Sequence, residues 1–433
     1  ASNIFEVQSE IARAITSALH ATLSDQDTGQ LDEIPTDNLA AYRVYRQALE
    51  FTGPTWRNAE YRALLEEAVA LDPEFTRAWA LLVGHLAHAN FYNENDPAEI
   101  ARAEEILEVI NRLAPGSADD LLAQALYTYY VIRDFEQARV LIDRARQLMP
   151  SDIKLLEIKS WIQRRQGDLE GRVETFRAMR ELDPREALWA ASLVGGLITV
   201  HRYDEAQQEL DSIDFEDIYI LQMRNLLAVR EHRDLDRWAA RELEILDEFD
   251  HRKELTLRHE TFIARRDFAG AAEWLRGKTD PNYDDSLPFG TDVEMSTLEA
   301  AWFLGEVDKH ADLVQELIER MEASRKPNGE FEYAGTNVHM AGVLAFMGRY
   351  DEAARYMRRG IRALSGDLAG VMSVAGIECR LYGMAADVES AVECIRRGAA
   401  GASGVVPFYE VLLPHYDSIR DEPAFVELLE EDW

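Results

Sequence analysis

The sequence is short of several things. Only two cysteines, Cys379 and Cys394, occur in 433 residues, which excludes a disulfide-dense scaffold and a cysteine-based zinc site. No stretch approaches 18 uninterrupted apolar residues, so no membrane span is expected. The opening Ala1-Ser2-Asn3-Ile4-Phe5 lacks the basic and long apolar regions of a signal peptide. Base is scarce beside acid: 46 Lys and Arg stand against 80 Asp and Glu, a formal charge of −34. Such a surface repels phosphate, which argues against nucleic-acid contact by counterion release and against docking on an anionic membrane. Apolar residues are not lacking. At 47% they are too many for an acidic disordered chain.

The acid is unevenly spread. Residues 201–250 carry fifteen acids and six bases, whereas residues 151–200 carry eight of each. The neutral, Arg-rich stretch is the one part of the surface expected to tolerate an acidic partner.

Internal periodicity is the strongest signal. Leu-x-Pro recurs at Leu71-Asp72-Pro73, Leu113-Ala114-Pro115, Leu148-Met149-Pro150 and Leu182-Asp183-Pro184. Proline cannot continue a helix, so each fits a stop just past a helix end. A second mark is a polar turn followed by an aromatic or Leu, and usually a small residue three positions on. It occurs at Asp134-Phe135, Asp168-Leu169, Arg202-Tyr203, Asp234-Leu235, Asp267-Phe268 and Arg349-Tyr350. The two marks keep step: 61 to 73, 103 to 115, 138 to 150 and 172 to 184 are the same distance. Between them Ala138, Ile142 and Ala145 form one helical stripe. The small residue lets the two helices of a hairpin approach, with the aromatic filling the corner.

These marks resemble the tetratricopeptide repeat, a helix–turn–helix unit. Trp79 and Leu82 match its first half after Pro73, and Ala138 with Ile142, Ala145 and Pro150 its second. Ala206 with Leu210, and Ala353 with Met357, match in part. The resemblance covers residues 37–400 and is degenerate over 211–330, where closing prolines are missing. It implies an all-α, right-handed superhelix of about ten helical hairpins. The expected organisation is an amphipathic helix and linker over 1–36, a first lobe over 37–276, and a second lobe with a capping helix over 277–433. Val7, Ile11, Ala14, Ile15, Ala18 and Leu19 form the apolar face of the first helix.

The segments Asn3–Ala12 and Pro35–Tyr42, and the tail Pro414–Phe425, are similar to those of large bacterial regulators. In these a nucleotide cyclase, winged-helix domain or kinase precedes the repeats. That resemblance implies a chain that is the carboxy-terminal half of something larger. Three interruptions break the period: His88 to Pro97, Gly277 to Glu294 and Ala323 to Thr336. Each reads first as an insertion, the middle one being long enough to be functional.

Catalytic signals are weak. Cys379 and Cys394 fall on the two helices of the last hairpin and are expected as buried thiols rather than a redox pair. His85 and His88 lie three apart but lack an acid to complete a metal site. Asp284, Asp285 and Asp292 lack calcium-loop spacing. Gly195-Gly196 matches no dinucleotide fingerprint. No enzyme, cofactor or metal is expected.

Binding is the positive expectation. In such arrays the first helix of each hairpin lines a concave groove. The repeat register points Arg77, His88, Tyr129, Tyr130, Lys154, Trp161 and Arg164 inward, with Gly84, Leu126 and Glu157 beside them. Aromatics next to Arg make good hot spots. The alternative for Tyr129 and Trp161 is packing between hairpins. The function this implies is an interaction or sensory scaffold that binds a protein or peptide or acts as a homodimer. The alternatives are a small-molecule sensor, or the regulatory region of a cyclase or transcription factor. The expected location is the cytoplasm, or the periplasm if a membrane helix lies upstream.

Overall fold

The computed structural model describes residues 36–50, 59–91, 97–248, 254–278, 291–331, 333–364, 367–400, 405–431 and 433. The expected helix over 4–23 and the pair Asp284-Asp285 lie outside them. Among the described residues the chain is helical, with a single isolated bridge between Arg325 and Phe331. It divides into two compact units, residues 1–166 and 167–433. The sequence had suggested a lobe boundary at 276/277 instead. Most of that loop, 279–290, is outside the described residues.

The first unit holds α1 (Leu39–Leu49), α2 (Ala59–Leu71), α3 (Thr76–Phe91), α4 (Pro97–Leu113), α5 (Ala118–Tyr127), α6 (Phe135–Leu148) and α7 (Ile153–Gln166). Helix α5 runs on into a π-helical turn, Thr128–Ile132. The second unit opens with α8 (Leu169–Leu182). Six hairpins follow: α9 (Ala187–Thr199) with α10 (Tyr203–Ser212), α11 (Ile218–His232) with α12 (Leu235–Glu248), α13 (Glu254–Ala264) with α14 (Phe268–Leu275), α15 (Asp292–Phe303) with α16 (Ala311–Ala323), α17 (Ala334–Phe346) with α18 (Tyr350–Ala363), and α19 (Leu368–Met384) with α20 (Val388–Ala400). Short α21 (Pro407–Glu410), a 3-10 turn (Pro414–Ile419) and α22 (Pro423–Glu430) end the chain. This is an all-α array of helical hairpins, the fold class the repeat implied.

The repeat marks have direct structural causes. Helices α2, α4, α6 and α8 end at Leu71, Leu113, Leu148 and Leu182, each two residues before its proline. The small residues Ala103, Ala138, Ala206, Ala271, Ala353 and Ala391 are fully buried where paired helices meet. Asp134, Asp168, Asp234, Asp267 and Asp387 each accept a hydrogen bond from the backbone N–H three residues on, capping the second helix of the hairpin. Arg202 and Arg349 hold the same position without capping; each pairs with the glutamate three residues on, Glu205 and Glu352. Just before these positions the backbone turns left-handed, at Arg133, Gly167, His201, Arg233, Arg266, Gly348 and Ala386.

The cysteines depart from expectation. Cys379 on α19 and Cys394 on α20 are joined in a disulfide, both buried. Facing positions on an antiparallel hairpin bring their Cα atoms to 5.4 Å, a distance a disulfide spans.

Candidate functional site

The groove residues expected from the sequence all lie in the first unit, and they separate into buried and accessible sets. Arg77, in the first turn of α3, pairs with Asp119 in the first turn of α5 and with Asp152 just before α7, the latter at 2.7 Å. Its side chain is only 13% exposed. Burial opposes the guanidinium charge, but Asp119 and Asp152 outweigh it and raise its pKa. Arg77 thus ties three successive first helices together. The buried Tyr45 phenol lies beside this cluster, and burial pushes its pKa up.

Tyr129 and Tyr130 do not line a surface. They are 2% and 6% exposed. The π turn at the end of α5 carries both inward. Tyr130 meets the His88 ring at 4.5 Å, and Tyr129 meets Phe135 at 5.3 Å. Arg165 of α7 donates to the Tyr129 hydroxyl at 2.9 Å. Burial, with His85 and Arg165 adding to it, pushes the His88 imidazole down to about 3, so it is neutral at physiological pH. A periodic reading cannot anticipate this, because the π turn shifts the register by one residue.

Helix α7 is different. Lys154, Glu157, Trp161 and Arg164 share one of its faces. Lys154 is 35% exposed at its side chain and pairs with Glu157 at 2.7 Å. Its Nζ lies 5.4 Å from the centre of the half-buried Trp161 ring. Arg164 is half-buried one turn further on. The neutral stretch is less free than its composition suggested: Lys159 pairs with Asp143, Arg177 with Glu174, and Arg180 with Glu209.

In the second unit the chain's own tail packs against both first and second helices of the hairpins. Phe408 meets Tyr203 at 5.2 Å, and Tyr409 meets Trp238 at 5.1 Å. Arg380 of α19 forks onto Glu410 at 3.0 and 3.1 Å, and Glu410 also accepts from the Tyr416 hydroxyl at 2.8 Å. Glu299 of α15 takes one ring nitrogen from His259 at 2.5 Å and one from His415 at 2.8 Å. Burial alone would push the Glu299 carboxyl up. The two imidazole hydrogen bonds outweigh burial and hold it well below the usual carboxylate range. Further on, Arg266 pairs with Asp417, Arg233 donates to the Leu429 carbonyl, and Arg230 to that of Trp433. The sequence marked Pro414–Phe425 as a typical array end and α22 as its cap. It gave no sign that the tail returns across helices some 150 to 200 positions earlier.

Among the described residues, no group of three His, Cys, Asp or Glu side chains is placed to hold a metal ion. None of their helices is long and apolar enough to cross a membrane.

No protein-family model matches the sequence, and no curated protein matches it. Similar solved structures include Naa15/Naa10 bound to HypK-THB, at 12% identity and TM-score 0.27 over 90% of this chain and 62% of that one. Others are the APC/C hetero-tetramer Cut9-Hcn1, at 14% identity and TM-score 0.38 over 92% and 77%, and the human IFIT1 dimer with PPP-AAAA, at 12% and 0.43 over 84% and 95%. All three superpose below a TM-score of 0.5, so the fold assignment rests on this chain's own geometry.

Proposed function

We propose that the chain is a non-enzymatic interaction scaffold that binds a protein or peptide along α7. One arrangement carries the reading: Lys154 stacked over the half-buried Trp161, on the same face as Glu157 and Arg164. A partly open tryptophan offers apolar area at little entropic cost, and the flanking cations favour a carboxylate beside the partner's apolar anchor. Arg77, Tyr129 and Tyr130 act in this reading as the rigid support behind that face. In the second unit residues 405–419 already pack on the hairpins, which supports placing the docking face in the first. The tail and linker resemblances support a role as the regulatory part of a larger bacterial signalling protein.

The test selects peptides on the wild-type chain and measures their affinity for W161A/R164A and for R164E. Binding should weaken about tenfold or more in both, in line with loss of a hot spot. R164E should keep its thermal unfolding, which separates a binding effect from a packing effect at Trp161. Equal affinity for all three proteins would sink the proposal.

Of the two locations expected, the disulfide between Cys379 and Cys394 favours the oxidising one, because cytosolic thiols are kept reduced. Alkylation in intact cells before denaturation, read by mass spectrometry, should leave both cysteines unmodified. Two alkylated cysteines would place the array in a reducing compartment.

A further inference from the structure

Among the described residues, helix α18 carries the most arginine-rich exposed face on this acidic protein. Arg355, Arg358, Arg359 and Arg362 are all exposed. At helical spacing they fall within roughly a third of its circumference. The opposite face is buried through Ala353, Met357 and Gly360. On other hairpins arginines pair along their own helices, Arg139 with Glu136 and Asp143, Arg241 with Glu244 and Arg320 with Glu316. Exposed arginines without a carboxylate partner among the described residues, such as Arg43, Arg112 and Arg144, occur elsewhere, but not four on one helix. On α18 none of the four has a carboxylate partner among the described residues, and Arg359 lies over the Tyr356 ring at 5.3 Å.

Asp351 lies one turn before Arg355 without pairing to it, and two other acids near the stripe are engaged elsewhere. Glu352 pairs with Arg349, and Glu378 pairs with Arg397. They act on the stripe only through space, Glu352 on Arg355 and Glu378 on Arg358. The stripe also repels itself. The pairs 355/358, 355/359, 358/362 and 359/362 all have the spacing at which like charges destabilise a helix. A chain with 80 acids could relieve this with one glutamate. Charge pairing for stability does not produce such a face.

We propose that the outer face of α18 docks an acidic segment of a partner protein, with Glu or Asp side chains spaced to meet successive guanidinium forks. Guanidinium binds carboxylate bidentately, and four unpaired forks in a row fit a short acidic helix or strand. A nucleic-acid strand fits less well. The one aromatic among the arginines, Tyr356, is half-buried beneath Arg325 and Arg359, so bases have no open ring to stack on. A single helix of four charges is also a small counterweight to a net charge of −34 for a long polyanion. The α18 proposal uses none of the residues of the α7 proposal, and either can fail without the other.

The experiment uses the full chain and a fluorescein-labelled helical peptide with glutamates at i, i+4 and i+7, at physiological salt. Wild-type protein should bind it saturably. R355A/R358A/R359A/R362A should weaken binding at least about tenfold, and circular dichroism should show its helix content retained. R43A/R46A/R112A/R144A removes the same charge from the first unit and should bind as wild type does. Absence of saturable binding, or equal loss in both variants, overturns the proposal. Tighter, arginine-dependent binding of a single-stranded oligonucleotide would reassign the face to nucleic acid. Concentration-dependent dimerisation of the wild type, abolished in the α18 variant, would reassign it to a second copy.

Discussion

A single hydrogen at Gly383 lets the tail pass over α19. A Cβ built there would lie 2.5 Å from the Tyr416 ring and 2.8 Å from the His415 carbonyl oxygen. Neither can retreat easily, because Tyr416 is fully buried and hydrogen-bonded to Glu410. Gly383→Ala should therefore destabilise the second unit by about 1–3 kcal/mol, the usual cost of overpacking. Urea unfolding measures it, and an unchanged midpoint would mean that the close approach does not exist in solution. The glycine is visible in the sequence, but its partner is not, because the two are 33 positions apart with no periodic relation. Tyr129 and Tyr130 make the same point from the other side: the repeat register points them at the groove, and they lie in a π turn that is buried in the core.

The elements were the most legible level. Proline after a helix end, aspartate before a helix start and alanine at a helix crossing are local rules, and each acts within about four residues. The hairpin turns are also uniform in a way that composition hides. Ala386 has φ 55°, the same left-handed turn that Gly167 and Gly348 make at 79° and 75°. An L-residue pays about 1 kcal/mol for that conformation and glycine does not. Ala386→Gly should accordingly raise stability, by a net amount below about 1 kcal/mol once the looser unfolded chain is counted. A fall in the denaturation midpoint would contradict the left-handed turn. Arg, His and Ala at these positions conceal the sign of φ, so the sequence showed the turn without its geometry.

For the whole molecule, the tail is the decisive feature. Val405, Phe408, Val411, Tyr416, Ile419, Phe425 and Leu428 are all buried. Deleting residues 405–433 would uncover the surfaces they cover and leave Arg380 and Glu299 without Glu410 and His415. Burial of one such side chain stabilises by about 1.5–3 kcal/mol, and several together rival the whole stability of a domain. A chain ending at residue 404 should lose the near-ultraviolet signal and cooperative transition of the second unit, while the first unit keeps its own. Retention of both transitions would show that the tail is only an appendage. What the sequence by itself determined was the repeating unit: its helices, stops, caps and hairpins, since these follow from interactions between near neighbours. Only the tertiary structure decided which inner positions are open. The tail that fills the second unit, the tyrosines drawn into the first and the unpaired arginines of α18 all depend on pairings across the fold, and no local pattern encodes distance through space.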